Sequence, residues 1–422
     1  MSPMIITLIV LFLAIVGFIS GKLPFSWIGI ACCAALYLTG VLTAQETFSG
    51  LQDTNCILMA SMMVVSAGLS RTKFTKYVSS MVQRLGKSER AIFIGLIFIH
   101  VILVQFMTGL VAMTITFPMI FALCDDTDME PSRVIYPLAL TSMSCVGWLP
   151  VANGAAAYAR YNGFLEKLGS EYRLDIWDLC LGRMPSVIAI VVFLCIFAWK
   201  MGPQKPSAPY QIPSVKKEGA VLDPMKEKLA YLIFALVTVG MLTTNITKLD
   251  VWMVALLGAL AMTLVGVLDK KQAFNAIQWD TLLMLAGLLA VASALSKTGA
   301  ADVVGQWIVS LLGGTTNPYI IGAVFFVVPL ILTQFMSNTA VDNVFTPLAI
   351  AACMQLNMSP LGVLALLRVA GSCSFFTPMA SPASAYAMSV GGYSMKDLVK
   401  QSVIPAIILC VTCVFFCMTF IK

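Results

Sequence analysis

A polar segment, Thr333-Gln334-Phe335-Met336-Ser337-Asn338-Thr339-Ala340, interrupts a long apolar stretch, and a reduced copy, Gln105-Phe106-Met107-Thr108-Gly109, does the same earlier in the chain. The copies stay in register from Gln105 and Gln334 through Pro118 and Pro347, where each reads Phe or Thr, then Pro, then aliphatics. A second pair follows at once: Pro150-Val151-Ala152-Asn153 through Ala157-Tyr158 answers Pro378-Met379-Ala380-Ser381 through Ala385-Tyr386. Non-helical backbone at membrane depth survives only where protein, water or ligand satisfies its N–H and C=O groups. Broken helices in corresponding positions of two halves are how many transporters build a substrate site inside a bilayer.

With 59% hydrophobic and 11% charged residues over 422 positions, the chain has too few charges for a water-facing surface. The expected fold is an all-α polytopic membrane protein. Apolar runs near spanning length fall at about 4–20, 25–43, 53–70, 134–158 and 183–200, and again at about 229–244, 251–268, 279–297, 359–388 and 402–421. The first lacks the basic flank of a signal peptide and is kept as a span. Between the third and fourth spans of each copy, the stretches 91–122 and 318–354 read as re-entrant hairpins with the polar segments at their tips. The organisation is a first repeat over 1–200, a Pro-rich polar linker over 201–228 and a second repeat over 229–422.

Cytoplasmic loops carry the excess of Lys and Arg. Arg71, Lys73, Lys76, Arg84, Lys87 and Arg90 after the third span, and Lys205, Lys216, Lys217, Lys226 and Lys228 in the linker, place both segments inside. Lys22, Lys270, Lys271, Lys396 and Lys400 agree, while Glu46, Glu166, Glu171, Asp175 and Asp178 fall outside with Arg160, Lys167 and Arg173 as exceptions. Both termini come out outside. Five spans per copy is odd, so the second copy starts on the opposite side: an inverted repeat of five transmembrane helices plus one re-entrant hairpin each. The formal charge of +6 therefore reports topology rather than nucleic-acid binding.

Ser337, Asn338 and Thr339 carry hydroxyl and amide groups that donate to an anion or accept toward a cation, and a half-helix starting near Ala340 presents free N–H groups. In Thr377-Pro378-Met379-Ala380-Ser381-Pro382 two prolines forbid a continuous helix and expose carbonyls suited to a hard cation such as sodium. For any one break the alternative is that Ser, Thr and Pro merely kink or glue helices. Asp342, four residues past Asn338 on the same helical face, either titrates or binds a cation, or else faces the outer vestibule or pairs with Arg368. Arg368 in turn attracts an anionic substrate or neutralises Asp342. His100 reads as a packed histidine bonded to a carbonyl, with a proton relay as the alternative. The acidic run 125–130 lacks the Gly and final Glu of a calcium loop and reads as a solvated hairpin exit. The segment around Lys73–Lys87 suits an interfacial helix on anionic lipid. Cys410, Cys413 and Cys417 share a face and read as packing.

Trp279-Asp280-Thr281 through Ser296-Lys297-Thr298-Gly299, then TQFMSNTA, then the run from Thr377 to Lys400 resemble the divalent anion and sodium symporters, the sodium-coupled dicarboxylate, citrate and sulfate carriers. The resemblance covers nearly the whole chain and implies a homodimeric elevator, in which hairpins and broken helices at the midplane move against a fixed scaffold. It implies that Ser337, Asn338 and Thr339 bind a substrate carboxylate, that Thr333, Ser337, Asn338 and Ala380 line a sodium site, and that Ser381 and Pro382 stand at the family's Thr-Pro break. The first half departs from the pattern. Thr108-Gly109-Leu110 replaces a second Ser-Asn-Thr, Val104 replaces a sodium-binding Ser, and Asn153-Gly154 replaces the Ser/Thr-Pro break. Only Thr108 and Asn153 keep side-chain oxygen there, and Gly109 would let a larger substrate approach the backbone.

The expected function is a secondary active transporter, in a bacterial inner membrane, for small organic anions (di- or tricarboxylate) or sulfate, with sodium as the coupling ion and no cofactor. Proton-coupled or exchange carriers, a cation/proton antiporter, an oxyanion exporter and a non-transporting receptor are the alternatives. Neither GxSxG nor HExxH nor a GxGD aspartate pair occurs, and only one His is present, so no enzyme activity is expected.

Overall fold

The computed structural model describes residues 2–421 apart from 21, 74–87, 126–128, 204–205, 211–221, 244–246, 248, 336 and 378–380. Among the described residues every regular element is helical. The succession begins Pro3–Ser20, Phe25–Leu38, a short Ala44–Phe48 and Thr54–Ser70. It continues through the hairpin Glu89–Phe106 and Gly109–Asp125, the broken pair Ile135–Cys145 and Asn153–Lys167, and Asp178–Phe197. After the linker come Pro224–Leu242, Val251–Leu264, a short Lys270–Ala276 and Trp279–Thr298. The hairpin Pro318–Leu332 and Asn338–Gln355, the broken pair Leu361–Ser372 and Pro382–Gly391, and Met395–Phe420 complete the chain. Apart from Ala300–Leu311, which stands between Trp279–Thr298 and the second hairpin, the same order of α-helices occurs twice among the described residues.

Four of these helices, Glu89–Phe106, Asp178–Phe197, Trp279–Thr298 and Met395–Phe420, are long and apolar enough to cross a membrane, and seven shorter apolar helices accompany them. The two spans in which the sequence placed a polar break are each split in two. Over 134–158 the helix stops at Cys145 and restarts at Asn153, with Gly147 at φ +60° and Ala152 at φ +45° between. Over 359–388 it stops at Ser372 and restarts at Pro382, whose ring suits the first helical position. One helix, Ala300–Leu311, was not expected; it exposes Val303, Trp307 and Leu311 on one side and buries Ala300 and Val304 on the other. The split of the first span also corrects the placing of Arg160, which lies buried within Asn153–Lys167 and not in an outer loop.

The two halves interlock. Phe25–Leu38 packs against Trp279–Thr298, and Thr54–Ser70 against Val251–Leu264. In the first pair Gly29 and Gly287 meet backbone to backbone: a Cβ on Gly29 would stand 2.7 Å from the Leu283 carbonyl oxygen, and one on Gly287 would meet Gly29 itself. Such close approach by small residues is how membrane helices gain packing energy where lipid offers no hydrophobic drive. Two polar ties cross in the same reciprocal way. Thr43 and Glu46 form a capping box on Ala44–Phe48, and the Glu46 carboxylate receives Lys297 Nζ at 2.7 and 2.8 Å. Asp269 and Gln272 form a capping box on Lys270–Ala276, and Gln272 receives the Arg71 guanidinium.

The hydrogen bond from Lys297 holds the Glu46 carboxyl down at about 2. A carboxyl depressed on folding contributes stability above its unfolded value, and that contribution is lost as pH falls toward the folded one. Glu46→Gln is expected to lower the thermal stability of detergent-purified protein slightly at pH 7, and the difference from wild type should shrink once pH drops below 4.5. A difference that persists unchanged in acid would show that the ion pair is not its source. For the apolar contact, Gly287→Val should cost ~1–3 kcal/mol through overpacking, read in the same unfolding assay. Unchanged unfolding would mean the two helices are not held backbone to backbone.

Candidate functional site

The tip of the second hairpin is built around two side chains at the end of Pro318–Leu332. Gln334, 5% exposed, donates from Nε2 to the Leu330 carbonyl and to the Cys373 carbonyl, both at 2.8 Å, and its Oε1 accepts the Phe376 N–H at 2.9 Å. The Thr377 hydroxyl closes back onto the Gln334 carbonyl. One amide therefore joins the hairpin tip to the break in the following helix. Beside it the Thr333 hydroxyl, fully buried, lies 2.8 Å from Asn338 Oδ1 and 3.1 Å from the Gly371 carbonyl oxygen. Asn338 Nδ2 reaches Ser374 Oγ at 3.3 Å, and the Ser337 hydroxyl caps the inner arm by accepting the Ala340 N–H at 3.2 Å. Ser337, Asn338 and Thr339 are all half-buried. Ser381 caps Pro382–Gly391 by accepting the Ala383 N–H at 3.2 Å.

The first hairpin repeats this joint. Gln105 Nε2 donates to the Val101 carbonyl at 2.8 Å and the Cys145 carbonyl at 3.0 Å, and its Oε1 accepts the N–H groups of Trp148 and Leu149 at 3.1 Å each. Asn153 Nδ2 donates to the Met107 carbonyl at 3.1 Å. Thr108 and Asn153 line one cavity of about 310 Å³ with Met63, Ser66 and Gln278, beside Ala152 in its positive-φ conformation. Gly109 has a different neighbour: a Cβ there would stand 3.2 Å from that of Ser142, so the close approach at this position is made by the helix Ile135–Cys145.

The two halves meet at a buried carboxylate. Asp342 on the inner arm of the second hairpin is 1% exposed; its Oδ2 receives Arg160 Nη2, and its Oδ1 receives the Tyr161 hydroxyl at 2.7 Å. Arg368 stands 3.8 Å from Oδ2. The pairing with Arg368 expected from sequence is thus the looser of two, and the tight partner comes from the other half of the chain. A reciprocal contact runs the other way, where Phe117 of the first hairpin stacks on Tyr386 of the second broken pair at 5.4 Å and 3°. His100 is enclosed between hydroxyls, not carbonyls, with Ser142 on Nε2 and Thr116 at 3.2 Å from Nδ1.

Residues 15–343 and 246–422 match the family described as citrate transporter. The chain belongs to that family. Among its relatives are a transporter of uncharacterized activity from Haemophilus influenzae, 23% identical over 86% of this chain and 80% of that one, and the sodium-dependent dicarboxylate transporter SdcS of Staphylococcus saprophyticus, 21% identical over 85% and 75%. Against the uncharacterized transporter YfbS of Escherichia coli, 29% identical, the match covers 48% of this chain and only 33% of that protein. Of the solved structures, the YdaH transporter of Alcanivorax borkumensis superposes with a TM-score of 0.65 at 12% identity, over 94% of this chain and 98% of that one. MtrF of Neisseria gonorrhoeae, from a class of antimetabolite efflux pumps, gives 0.61 at 10% identity, over 100% and 95%. The fold is an all-α polytopic transporter, and family and relatives are transporters, not enzymes.

In this citrate transporter family member, sequence reasoning brought out Thr333, Ser337, Asn338 and Thr339, which lie at the second hairpin tip, and Ser381, which caps the helix after the following break. Thr108 and Asn153 gather separately about the first. Ala380, Pro378 and Met379, the centre of the acidic run, most of Lys73–Lys87 and much of the linker lie outside the described residues. Among the described residues no group of three or more His, Cys, Asp or Glu is placed to hold a metal ion. Sequence reasoning missed the role of the two glutamines and of Arg160. The glutamines occupy the same place in both copies, which was the available signal. Replacing Gln334 or Gln105 by Leu strands buried backbone groups at a break, each at ~1–3 kcal/mol. Either variant should unfold at markedly lower temperature than wild type in detergent. Retention of the wild-type midpoint would show that the amide is not what holds tip and break together.

Proposed function

We propose that this chain is a sodium-coupled carrier of small di- or tricarboxylates or sulfate, with its cation site in the second hairpin. The observation that carries the reading is the convergence of Thr333 Oγ1, Asn338 Oδ1 and the Gly371 carbonyl, with the hydroxyl 2.8 and 3.1 Å from the other two oxygens. All three are neutral hard oxygens, and the hydroxyl at their centre is fully buried; this is the ligand type that suits a hard alkali or alkaline-earth cation and not a soft metal. Sodium entering there would take the oxygens that now share one hydroxyl proton. Ser337 and the half-buried Thr339 stand at the start of the inner arm, where the helix dipole favours an anion. The names of two relatives, a sodium-dependent dicarboxylate transporter and a probable sodium/sulfate cotransporter of Chlamydomonas reinhardtii, agree with this pairing of ion and anion.

The same reading takes the two halves, 1–200 and 229–422, as inverted repeats with cytoplasmic linker, re-entrant hairpins and both termini outside. The basic loops support it. So does the reciprocity of the Glu46–Lys297 and Gln272–Arg71 ties, which this topology puts on opposite faces of the membrane. Homodimeric elevator motion belongs to the proposal through the resemblance. Proton coupling through Asp342 is the weaker reading, because both of its oxygens are engaged by Arg160 and Tyr161.

In proteoliposomes, labelled citrate, succinate or sulfate is expected to accumulate under an inward sodium gradient and to stop doing so when potassium replaces sodium. Thr333→Val and Asn338→Ala should each raise the half-saturating sodium concentration by ~10-fold, the loss of one ligand worth ~1.4 kcal/mol. Accumulation driven by a proton gradient in the absence of sodium would overturn the coupling.

A further inference from the structure

Among the described residues the guanidinium groups of Arg160, Arg183 and Arg368 lie in the interior, and two of the three are already committed. Arg183, fully buried, donates to the carbonyls of Gly147 at 2.8 Å, Val146 at 3.2 Å and Ser144 at 3.3 Å. It thereby caps the C-terminal end of Ile135–Cys145, where a cation suits the helix dipole. Arg160, 8% exposed, is bound to Asp342 and lies over the Tyr161 ring at 5.1 Å. With Tyr161 on the other oxygen, both oxygens of Asp342 have a close donor.

Arg368 is what remains. Its side chain is 15% exposed and stands 3.8 Å from Asp342 Oδ2, beyond hydrogen-bond distance. Among the described residues it makes one hydrogen bond, from Nη1 to Ser372 Oγ of its own helix at 3.3 Å, and its Nε, like those of Arg160 and Arg183, is buried without a partner. A guanidinium carries five N–H donors. A cation left with most of them unused inside an apolar protein is expensive, and intramembrane charges of this kind mark substrate pathways. We propose that Arg368 binds one carboxylate or sulfate group of the transported anion, a role that rests on the anion-carrier reading above and adds to it a residue of opposite charge.

Two features of the surroundings fit that ligand. Gly371, one turn further along the same helix, supplies the carbonyl of the candidate cation site, so anion and cation would bind about one turn apart and stabilise each other. On its other side Arg368 faces the break in the first half. Gly147 there has φ +60°, and a Cβ on it would stand 3.2 Å from Arg368 Nη2. The bare backbone lets the planar fork lie beside the break that precedes the N-terminus of Asn153–Lys167, a second attractor for an anion. A fork of parallel N–H donors matches the two oxygens of a carboxylate or sulfate better than an ammonium does.

The test is the half-saturating concentration of citrate, succinate and sulfate for thermal stabilisation of the purified protein at fixed sodium, compared across wild type, Arg368→Gln, Arg368→Lys and Tyr161→Phe. For each anion that stabilises wild type, Arg368→Gln should raise that concentration at least ~10-fold. Arg368→Lys, which keeps charge but not the fork, should raise it less. Tyr161→Phe, which loosens Asp342 alone, should leave it near the wild-type value. Stabilisation by sodium in the absence of anion should be the same in all four. Should Arg368→Gln fail to fold, Arg368→Lys carries the comparison. Wild-type anion affinity in a folded Arg368 variant, with only a lower ligand-free melting temperature, would make Arg368 structural and overturn the assignment while leaving the carrier reading intact. No response of wild type to any of the three anions would overturn both.

Discussion

Everything at the centre of this protein depends on satisfying backbone that is not helical in a place with no water to do it. Two glutamine amides meet that demand. Gln105 and Gln334 each donate to the last carbonyl region of a broken helix and accept N–H groups just past it, while still bonding within their own hairpin. Because a single planar amide offers donors on one side and an acceptor on the other, it can replace the lost helical hydrogen bonds and fix the distance between tip and break. The hairpin tips are held where side chains from different elements meet, and the polar groups left over, Thr333, Asn338, Ser374 and the Gly371 carbonyl, become available as a site.

The two hairpins share this joint but differ in what surrounds it. At the second tip the joint is flanked by Thr333, Ser337 and Asn338, all with side-chain oxygen and all tied into local hydrogen bonds. At the first, Thr108 is exposed, Gly109 accommodates Ser142, and Asn153 turns its amide to the Met107 carbonyl. Thr108 and Asn153 still line a cavity, yet no knot of oxygens comparable to that around Thr333 forms among the described residues there. The proposal of a cation at one tip rests on this asymmetry. Around Asp342 itself two arginines stand against one carboxylate, Arg160 in close contact and Arg368 at 3.8 Å.

Much of this was legible in the chain. The register from Gln105 to Pro118 and from Gln334 to Pro347 marked both hairpins, because a polar tip between two apolar arms has few other uses at membrane depth. The prolines at 378 and 382 and the pair Asn153-Gly154 marked the breaks. What stayed hidden follows from distance along the chain. Nothing near Arg160 tells that it pairs with Asp342, since the two come together only when a broken helix of one half packs on a hairpin of the other. From charge pattern alone Arg160 reads as a loop residue, and Arg368, nearer in sequence, reads as the partner. The boundary helix Ala300–Leu311 escaped notice for a related reason: an amphipathic helix this short looks like loop until the surface it covers is known.

By itself the sequence determined the solvent, the element type, the duplication of hairpins and breaks, and the residue types at their tips, because hydropathy, helix-breaking residues and repeated motifs are local properties. Only the tertiary structure decided which polar groups satisfy one another. Thr333 meets Gly371, Gln334 meets Cys373 and Phe376, and Asp342 takes Arg160 and Tyr161 in preference to Arg368. Those choices belong to the packing of elements far apart in the chain, where the cost of an unpaired buried group selects one arrangement. The opening repeat marks where the proposed site would form; which arginine is only loosely paired within it is set by the fold.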